Sequence, residues 1–247
     1  MREILLFLMI CLYAFDAHAQ VNIEDTRGDA KQGFTGRVDL GFERLSGNND
    51  TLSYFLKSRT DYVRSYNHFF LVLEGTRGES RDELFKDQAF AHLRWTSMWG
   101  GWIGTDLFVQ SQYDSFKDLV LRQLEGGYIR LVSPLFDGQV ALGLGAMSDY
   151  EKLKDGEGEG FTARYTSYVS LSEALMDKKV KISLTGYYQP KVSQLSDYRI
   201  TAIGQLEVSM IGKLSLVPTF SYAYDSRPPT DVQVDDSETK LLLRYRW

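Results

Sequence analysis

The chain is 247 residues long and carries 28 Lys and Arg against 33 Asp and Glu, a formal net charge of −5. So mild an acidic balance argues against nucleic acid as a partner, because that role calls for a basic footprint. Fifteen Tyr, 14 Phe and 21 Gly against only 5 Pro make a strand-rich inventory; a membrane barrel shows only alternate residues to lipid, so an ordinary bulk hydrophobicity does not exclude one.

The first twenty residues, "MREILLFLMICLYAFDAHAQ", place Arg2 before an apolar run from Ile4 to Phe15 and end with Ala17 and Ala19 spaced as a signal-peptidase site. This pattern predicts a secretory signal cleaved after Ala19, since the run is about a dozen residues and a spanning helix needs roughly 18 to 20. Cys11, the only cysteine, lies inside that segment. The mature chain is then free of disulfides, with residues 20–32 as a short periplasmic segment and residues 33–247 as one domain.

From Gly33 onward the dominant signal is period-2 alternation in which one of the two phases is free of charge. The first segment sets Phe34, Gly36, Val38, Leu40 and Phe42 against Thr35, Arg37, Asp39, Gly41 and Glu43. The second sets Leu52, Tyr54, Leu56, Ser58, Thr60 and Tyr62 against Ser53, Phe55, Lys57, Arg59 and Asp61. Phe69 to Leu73, Ala89 to Trp95, Ile103 to Val109 and Val140 to Ala146 continue the pattern, and five cleaner segments run from Phe161 to Trp247. Between Lys117 and Leu131 the alternation blurs, because Val120, Leu124, Gly126 and Tyr128 share a phase with Arg122. The expectation is about twelve strands of roughly 10 to 15 residues, longer than is usual in soluble sheets. Connections alternate between a mostly short set ("SYN", "MWGG", "SPLFDG", "EALMDK", "IGK") and a longer, more charged set ("GESRDELFK", "EKLKDGEGEG", "PKVSQLSD", "SRPPTDVQVDD"). That is the plan of an all-β, transmembrane, antiparallel up-and-down β-barrel with both termini periplasmic.

Barrel width decides which phase faces inward. About eight strands leave an interior that side chains fill, whereas about twelve leave one too wide for a single apolar row per strand. The uncharged phase is therefore expected against lipid. Aromatic residues of that phase gather at strand ends: Phe42, Tyr113, Tyr150, Phe161, Tyr188, Tyr198, Tyr222 and Tyr224 at one rim, and Tyr62, Phe69, Trp95, Tyr128, Tyr245 and Trp247 at the other. These read as two interfacial belts. Leu243, Tyr245 and Trp247 end the chain on the lipid-facing phase of a strand that must pair with the first, or else leave edge amides unsatisfied in lipid. An aromatic end of this kind resembles the signal that outer-membrane proteins present to their assembly machinery. Pro218 falls mid-strand with no N–H to donate, so a bulge or weak pairing is expected there.

The lumen phase carries the only collective chemistry. Arg37, Lys57, Arg59, Arg94, Arg164, Lys181 and Arg199 stand against Asp39, Glu43, Asp61, Glu74, Asp106, Glu125 and Glu207. Mixed signs predict no strong ion selectivity. Two functions fit: a narrow, weakly selective, water-filled pore for small solutes, or a closed interior of Arg–carboxylate pairs in a structural or surface-interaction barrel. A hydrolase ranks third, with His68 assigned to a turn and His92 to the lumen phase. No metal-ligand spacing, phosphate loop or cofactor fingerprint is present, so no cofactor is expected, and "GEGEG" (156–160) reads as a flexible acidic loop. The expected partners are outer-membrane lipids, lipopolysaccharide and the assembly machinery; oligomeric state is left open.

Four stretches carry a family likeness: "LSGNNDTL" (45–52), "DSFKDLVLRQLEGGYIRL" (114–131), "LSDYRI" (195–200) and "YAYDSRPP" (222–229). Through them the chain resembles a family of uncharacterised proteobacterial barrels labelled salt-induced outer membrane proteins, over nearly all of the sequence from Gly33. The run from Asp225 to Pro229 is the most specific. "GGYIRL" departs from the alternating glycines usual in that family, which leaves the facing of its strand open. The resemblance implies an outer-membrane barrel and brings no activity with it.

Overall fold

A computed structural model describes residues 31–45, 51–80, 83–115, 118–135, 138–154, 159–228 and 233–247. The expected signal and the residues after it to 30, together with parts of "LSGNNDTL" and "EKLKDGEGEG", lie outside the described residues. Twelve strands follow in chain order: β1 (Gly33–Leu45), β2 (Thr51–Arg64), β3 (Asn67–Ser80), β4 (Glu83–Met98), β5 (Ile103–Asp114), β6 (Leu119–Leu135), β7 (Gly138–Leu153), β8 (Gly160–Leu175), β9 (Val180–Lys191), β10 (Gln194–Ser209), β11 (Leu214–Asp225) and β12 (Asp235–Arg246). Each pairs antiparallel with its chain neighbours, and β12 closes on β1 to complete a barrel. Among the described residues there is no α-helix.

The strands run from 12 to 17 residues, more than the roughly 9 to 11 that a tilted strand needs to cross hydrocarbon. Their alternation sorts side chains by chemistry. Leu40, Leu56 and Leu241 are 52%, 53% and 62% exposed on the outer surface, whereas Asp39 and Arg59, one and three residues from the two leucines that share their strands, are fully buried in the lumen. Outward aromatics pair across strands at both rims. Phe34 packs on Tyr62 and Phe69 on Trp95 near the chain termini; Phe42 packs on Tyr54, Tyr150 on Phe161, and Tyr198 on both Tyr188 and Tyr224 at the opposite rim.

β6 corrects the expectation for the blurred segment. Leu124 and Tyr128 are 1% and 3% exposed and point into the lumen, so Tyr128 is no member of an outer belt. Glu125 has the opposite facing, outward between Val109 and Ser148. The phase is fixed by Arg122 and Arg130, which find carboxylates only inside the barrel. Charge thus set the register of β6, and the apolar residues of the same phase were carried inward with it.

Two expected loops are shorter than their sequences suggest. Within "GESRDELFK" β3 runs to Ser80 and β4 starts at Glu83, and β9 and β10 extend through "PKVSQLSD", leaving residues 192–193 as the connection. At Pro218 the ladder weakens without a bulge: on the β10 side it passes from Gln205↔Thr219 to Val208↔Leu216, while the β12 side pairs regularly at Leu241. Proline supplies no N–H on one side only, which accounts for the asymmetry.

Closure rests on the last residue. The Trp247 N–H donates to Gly36 O at 3.0 Å, and the Arg37↔Arg246 to Leu40↔Leu243 ladder follows. Any Cβ at residue 36 would overlap the Trp247 indole, so glycine is what lets the ring lie against β1. Leu243, Tyr245 and Trp247 are all exposed on the outer face of this seam.

Candidate functional site

The barrel interior is built in three levels, each set by which lumen-phase residues the strand tilt brings to one height. Nearest the termini is an ionic floor. Arg244 of β12 donates from Nε and Nη2 to both carboxylate oxygens of Asp39 at 2.7 Å, and from Nη1 to Glu207 at 2.8 Å. Glu207 also accepts from Arg246, and Arg37 stands 3.9 Å from Asp39. A second group joins Arg59 to Asp61 at 2.8 Å, with His68 Nε2 2.7 Å from the same carboxylate. A third centres on Asp106, which accepts from Thr96 at 2.6 Å, Tyr168 at 3.1 Å and Arg94 at 3.3 Å, with Arg130 3.9 Å away. Arg130 in turn donates to the Tyr168 hydroxyl. Asp39, Arg59, Asp106, Arg94 and Arg244 are all at most 1% exposed. Charges so deeply buried persist only when paired, and each network sets its cations against carboxylates.

Above this floor lies an aromatic level. Rings follow one another around the wall from β3 to β9: Phe70 on His92 at 5.9 Å, His92 on Phe108 at 5.7 Å, Phe108 on Tyr128 at 5.4 Å, Tyr128 on Tyr168 at 5.0 Å and Tyr168 on Tyr187 at 5.7 Å. β7 contributes no ring, because Gly143 leaves the space that Tyr168 crosses; a Cβ there would overlap the tyrosine. The guanidinium of Arg59 sits 4.1 Å over Phe70, and that of Arg94 sits 5.3 Å over both Phe108 and Tyr128. These cations are held by ring faces as well as by carboxylates. His92 keeps Nδ1 3.1 Å from Gln110.

The third level borders an open cavity of about 200 Å³ at the rim away from the termini. Arg199 is its hub, 2.7 Å from Asp149, 2.9 Å from Glu151 and 2.7 Å from Asp225. Arg122 meets Asp149 and Glu151 at 2.9 and 3.1 Å, and Arg164 joins Asp149 to Asp197. On the other wall Lys86 of β4 reaches Glu238 of β12 at 2.9 Å, four strands away around the ring. Lys240 lies 2.8 Å from Glu238 and 3.8 Å from Glu74, which also stands 3.7 Å from Lys57. At the rim, Tyr150 donates to Glu159 at 2.7 Å and, with Lys152, holds that carboxyl below its ordinary range. The residues lining this vestibule include six carboxylates, Glu74, Asp114, Glu151, Asp225, Asp236 and Glu238, against the three cations Arg122, Arg199 and Lys240. Lys86 and Lys57 neutralise two of these acids from just behind the lining, so the surface is mixed in sign with a small acidic excess.

Of the residues singled out in the sequence, Arg37, Asp39, Arg59, Asp61, Arg94, Asp106 and Glu207 lie in the floor; Lys57, Glu74, Arg164 and Arg199 lie at or just below the vestibule. The Glu43 side chain lies outside the described residues. Glu125 faces outward and joins neither network. Sequence reasoning passed over Asp149, the acceptor shared by Arg122, Arg164 and Arg199, and Arg244, which ties β12 to β1 and β10. Both sit on the charged phase, and the same alternation test extended to every charge of that phase finds them. Arg130 lies in the blurred segment and gives no such signal.

Comparison with known proteins gives a family. No curated protein matches the sequence. Among solved structures the chain is similar to the translocator domain of the autotransporter NalP from Neisseria meningitidis, at 13% identity and TM-score 0.48 over 88% of this chain and 90% of that one. It is similar to the NanC porin at 9% identity and TM-score 0.46, over 87% and 98% of the two chains. The anion-selective porin from Comamonas acidovorans gives 6% identity and TM-score 0.44, over 87% and 98%. Residues 38–247 match the family described as "Protein of unknown function, DUF481", and the chain belongs to that family.

Proposed function

We propose that this protein is an integral outer-membrane barrel that acts as a narrow pore, held closed at rest by its ionic floor and weakly selective for small cations. The outer surface supports the membrane placement: leucines and valines 40–60% exposed would be costly in water, and aromatic rows flank them at both rims. With the expected cleavage after Ala19, both termini face the periplasm and the vestibule opens outward. Bilayer lipid and lipopolysaccharide are then the surroundings of the belt, and Leu243, Tyr245 and Trp247 are what the assembly machinery meets. The observation that carries the pore reading is the vestibule itself, an open cavity lined by charged side chains, below which the lumen is filled by the aromatic level and by the buried, paired charges of the floor. Opening then requires the floor pairs to exchange a partner for water or an ion, and the cost of that exchange is what keeps the pore closed at rest. In this reading His68 and His92 belong to the polar network and do no catalysis.

The second reading, a closed barrel whose role is structural or at the cell surface, is favoured by the near-complete burial of Arg59, Arg94 and Arg244. Efflux from proteoliposomes separates the two. Refolded protein is expected to release a small monovalent cation faster than protein-free vesicles do, and faster than an anion of equal size. No release above protein-free vesicles, from protein verified as folded, would support the closed barrel instead.

A further inference from the structure

The wall is not uniformly closed. β1 and β2 pair from Gly33↔Val63 to Leu45↔Thr51, and β11 and β12 pair from Leu214↔Tyr245 to Tyr224↔Asp235. Between β1 and β12, however, the ladder stops at Leu40↔Leu243. Continuing the same register would set Gly41 opposite Leu242 and Phe42 opposite Leu241, yet among the described residues these make no ladder. Phe42 and Leu241 are 66% and 62% exposed on the outer face of this stretch.

The inner face at this height is apolar. Phe55, Val217 and Leu242 form a small buried cluster on the lumen side. Phe55 and Leu242 come together over Gly41: a Cβ at that glycine would lie 3.1 Å from Leu242 Cδ2 and 3.2 Å from Phe55 Cβ. Lys240, whose ammonium is 4.2 Å from the centre of the Phe55 ring, lines the vestibule directly above. The stretch of β12 beyond the β1 ladder thus reaches the vestibule through Asp236, Glu238 and Lys240 on one side and the outer apolar belt through Leu241 on the other. Unpaired edge N–H and C=O groups are satisfied by water from such a cavity and not by hydrocarbon.

We infer that the upper part of the β1–β12 seam is a lateral portal, closed at rest by the Leu242 and Phe55 side chains packed over Gly41, that opens to admit an acyl chain of a bilayer phospholipid while its headgroup stays in the vestibule. The inference goes beyond the pore, since it concerns passage through the wall rather than along the axis, and it rests on the outer-membrane placement proposed above. The surrounding bilayer supplies the chains, the missing ladder supplies the way in, and the cluster supplies the apolar plug that a chain displaces.

The test uses bimane attached to single cysteines in a Cys11→Ser background, reconstituted in phosphatidylcholine vesicles with brominated acyl chains. A reporter at Leu242→Cys faces the lumen, one at Leu243→Cys faces lipid, and one at Ser170→Cys faces the lumen far from the seam. The portal predicts quenching at Leu242→Cys within about twofold of that at Leu243→Cys, with Ser170→Cys almost unquenched, because only a lumen site reached by lipid behaves so. Phe55→Cys is a second reporter on the same inner face and guards against a defect peculiar to one variant. If both seam reporters prove as unquenched as Ser170→Cys in folded protein, lipid does not enter and the portal is wrong.

Discussion

Arg94 and Arg199 are built from the same parts and placed in different solvents. Each is a guanidinium held by carboxylate from other strands, but Arg94 meets Asp106 and is 1% exposed in the floor, whereas Arg199 borders the vestibule and touches three acids of which Glu151 and Asp225 are partly wet. The contrast teaches that pairing alone does not assign a role in this lumen. Where water is excluded the network ties the strands together; where water enters, the same chemistry makes the surface that the proposed pore presents to ions.

The contrast is broken most severely at Asp106. Asp106→Ala leaves Arg94 and Arg130 without their shared carboxylate in a dry site, and a loss of about 3–5 kcal/mol is expected from urea unfolding in lipid vesicles. Gly143→Ala acts next, by steric means: the methyl displaces Tyr168 and with it the hydroxyl that bridges Arg130 to Asp106, for about 1–3 kcal/mol in the same assay. Tyr168→Phe keeps the ring over Gly143 and removes only the bridge, so about 1 kcal/mol is expected; a loss as large as that of Gly143→Ala would mean that the hydroxyl matters and the packing does not. The smallest effect belongs to the vestibule. Asp225→Ala leaves Arg199 with Asp149 and Glu151, and should cost under about 1 kcal/mol, less still at high salt, whereas the Asp106 effect should be nearly indifferent to salt. Equal salt sensitivity at the two sites would erase the distinction between floor and vestibule.

Much of this was legible in the alternation of side chains. In β1, β2 and β12 a strict two-residue period separates Leu40 from Asp39, Leu56 from Lys57 and Leu243 from Arg244, and each assignment follows from that period once the barrel's width has turned the charged phase inward. β6 resisted because its inward phase mixes Arg122 and Arg130 with Leu124 and Tyr128, while its outward phase holds Gln123 and Glu125. No rule that puts apolar residues outside reads that strand, since its facing is settled by partners on β5, β7 and β8 that are distant in sequence. The aromatic level was hidden for the same reason. Phe70, Phe90 and Phe108 occupy polar-phase positions one at a time along their strands, and only the closed ring of strands shows that they meet. Which charges pair was likewise beyond reach of a single strand, as Lys86 with Glu238 illustrates.

Single-channel recording in a planar bilayer tests the gated floor most directly, by comparing the wild-type chain with Asp106→Ala. The wild type should show rare, small steps with a cation preference, and the variant should dwell open several times longer at unchanged polarity, since its floor has lost a shared anion. A variant that is folded and as silent as, or more silent than, the wild type would contradict the account and leave the barrel closed by design.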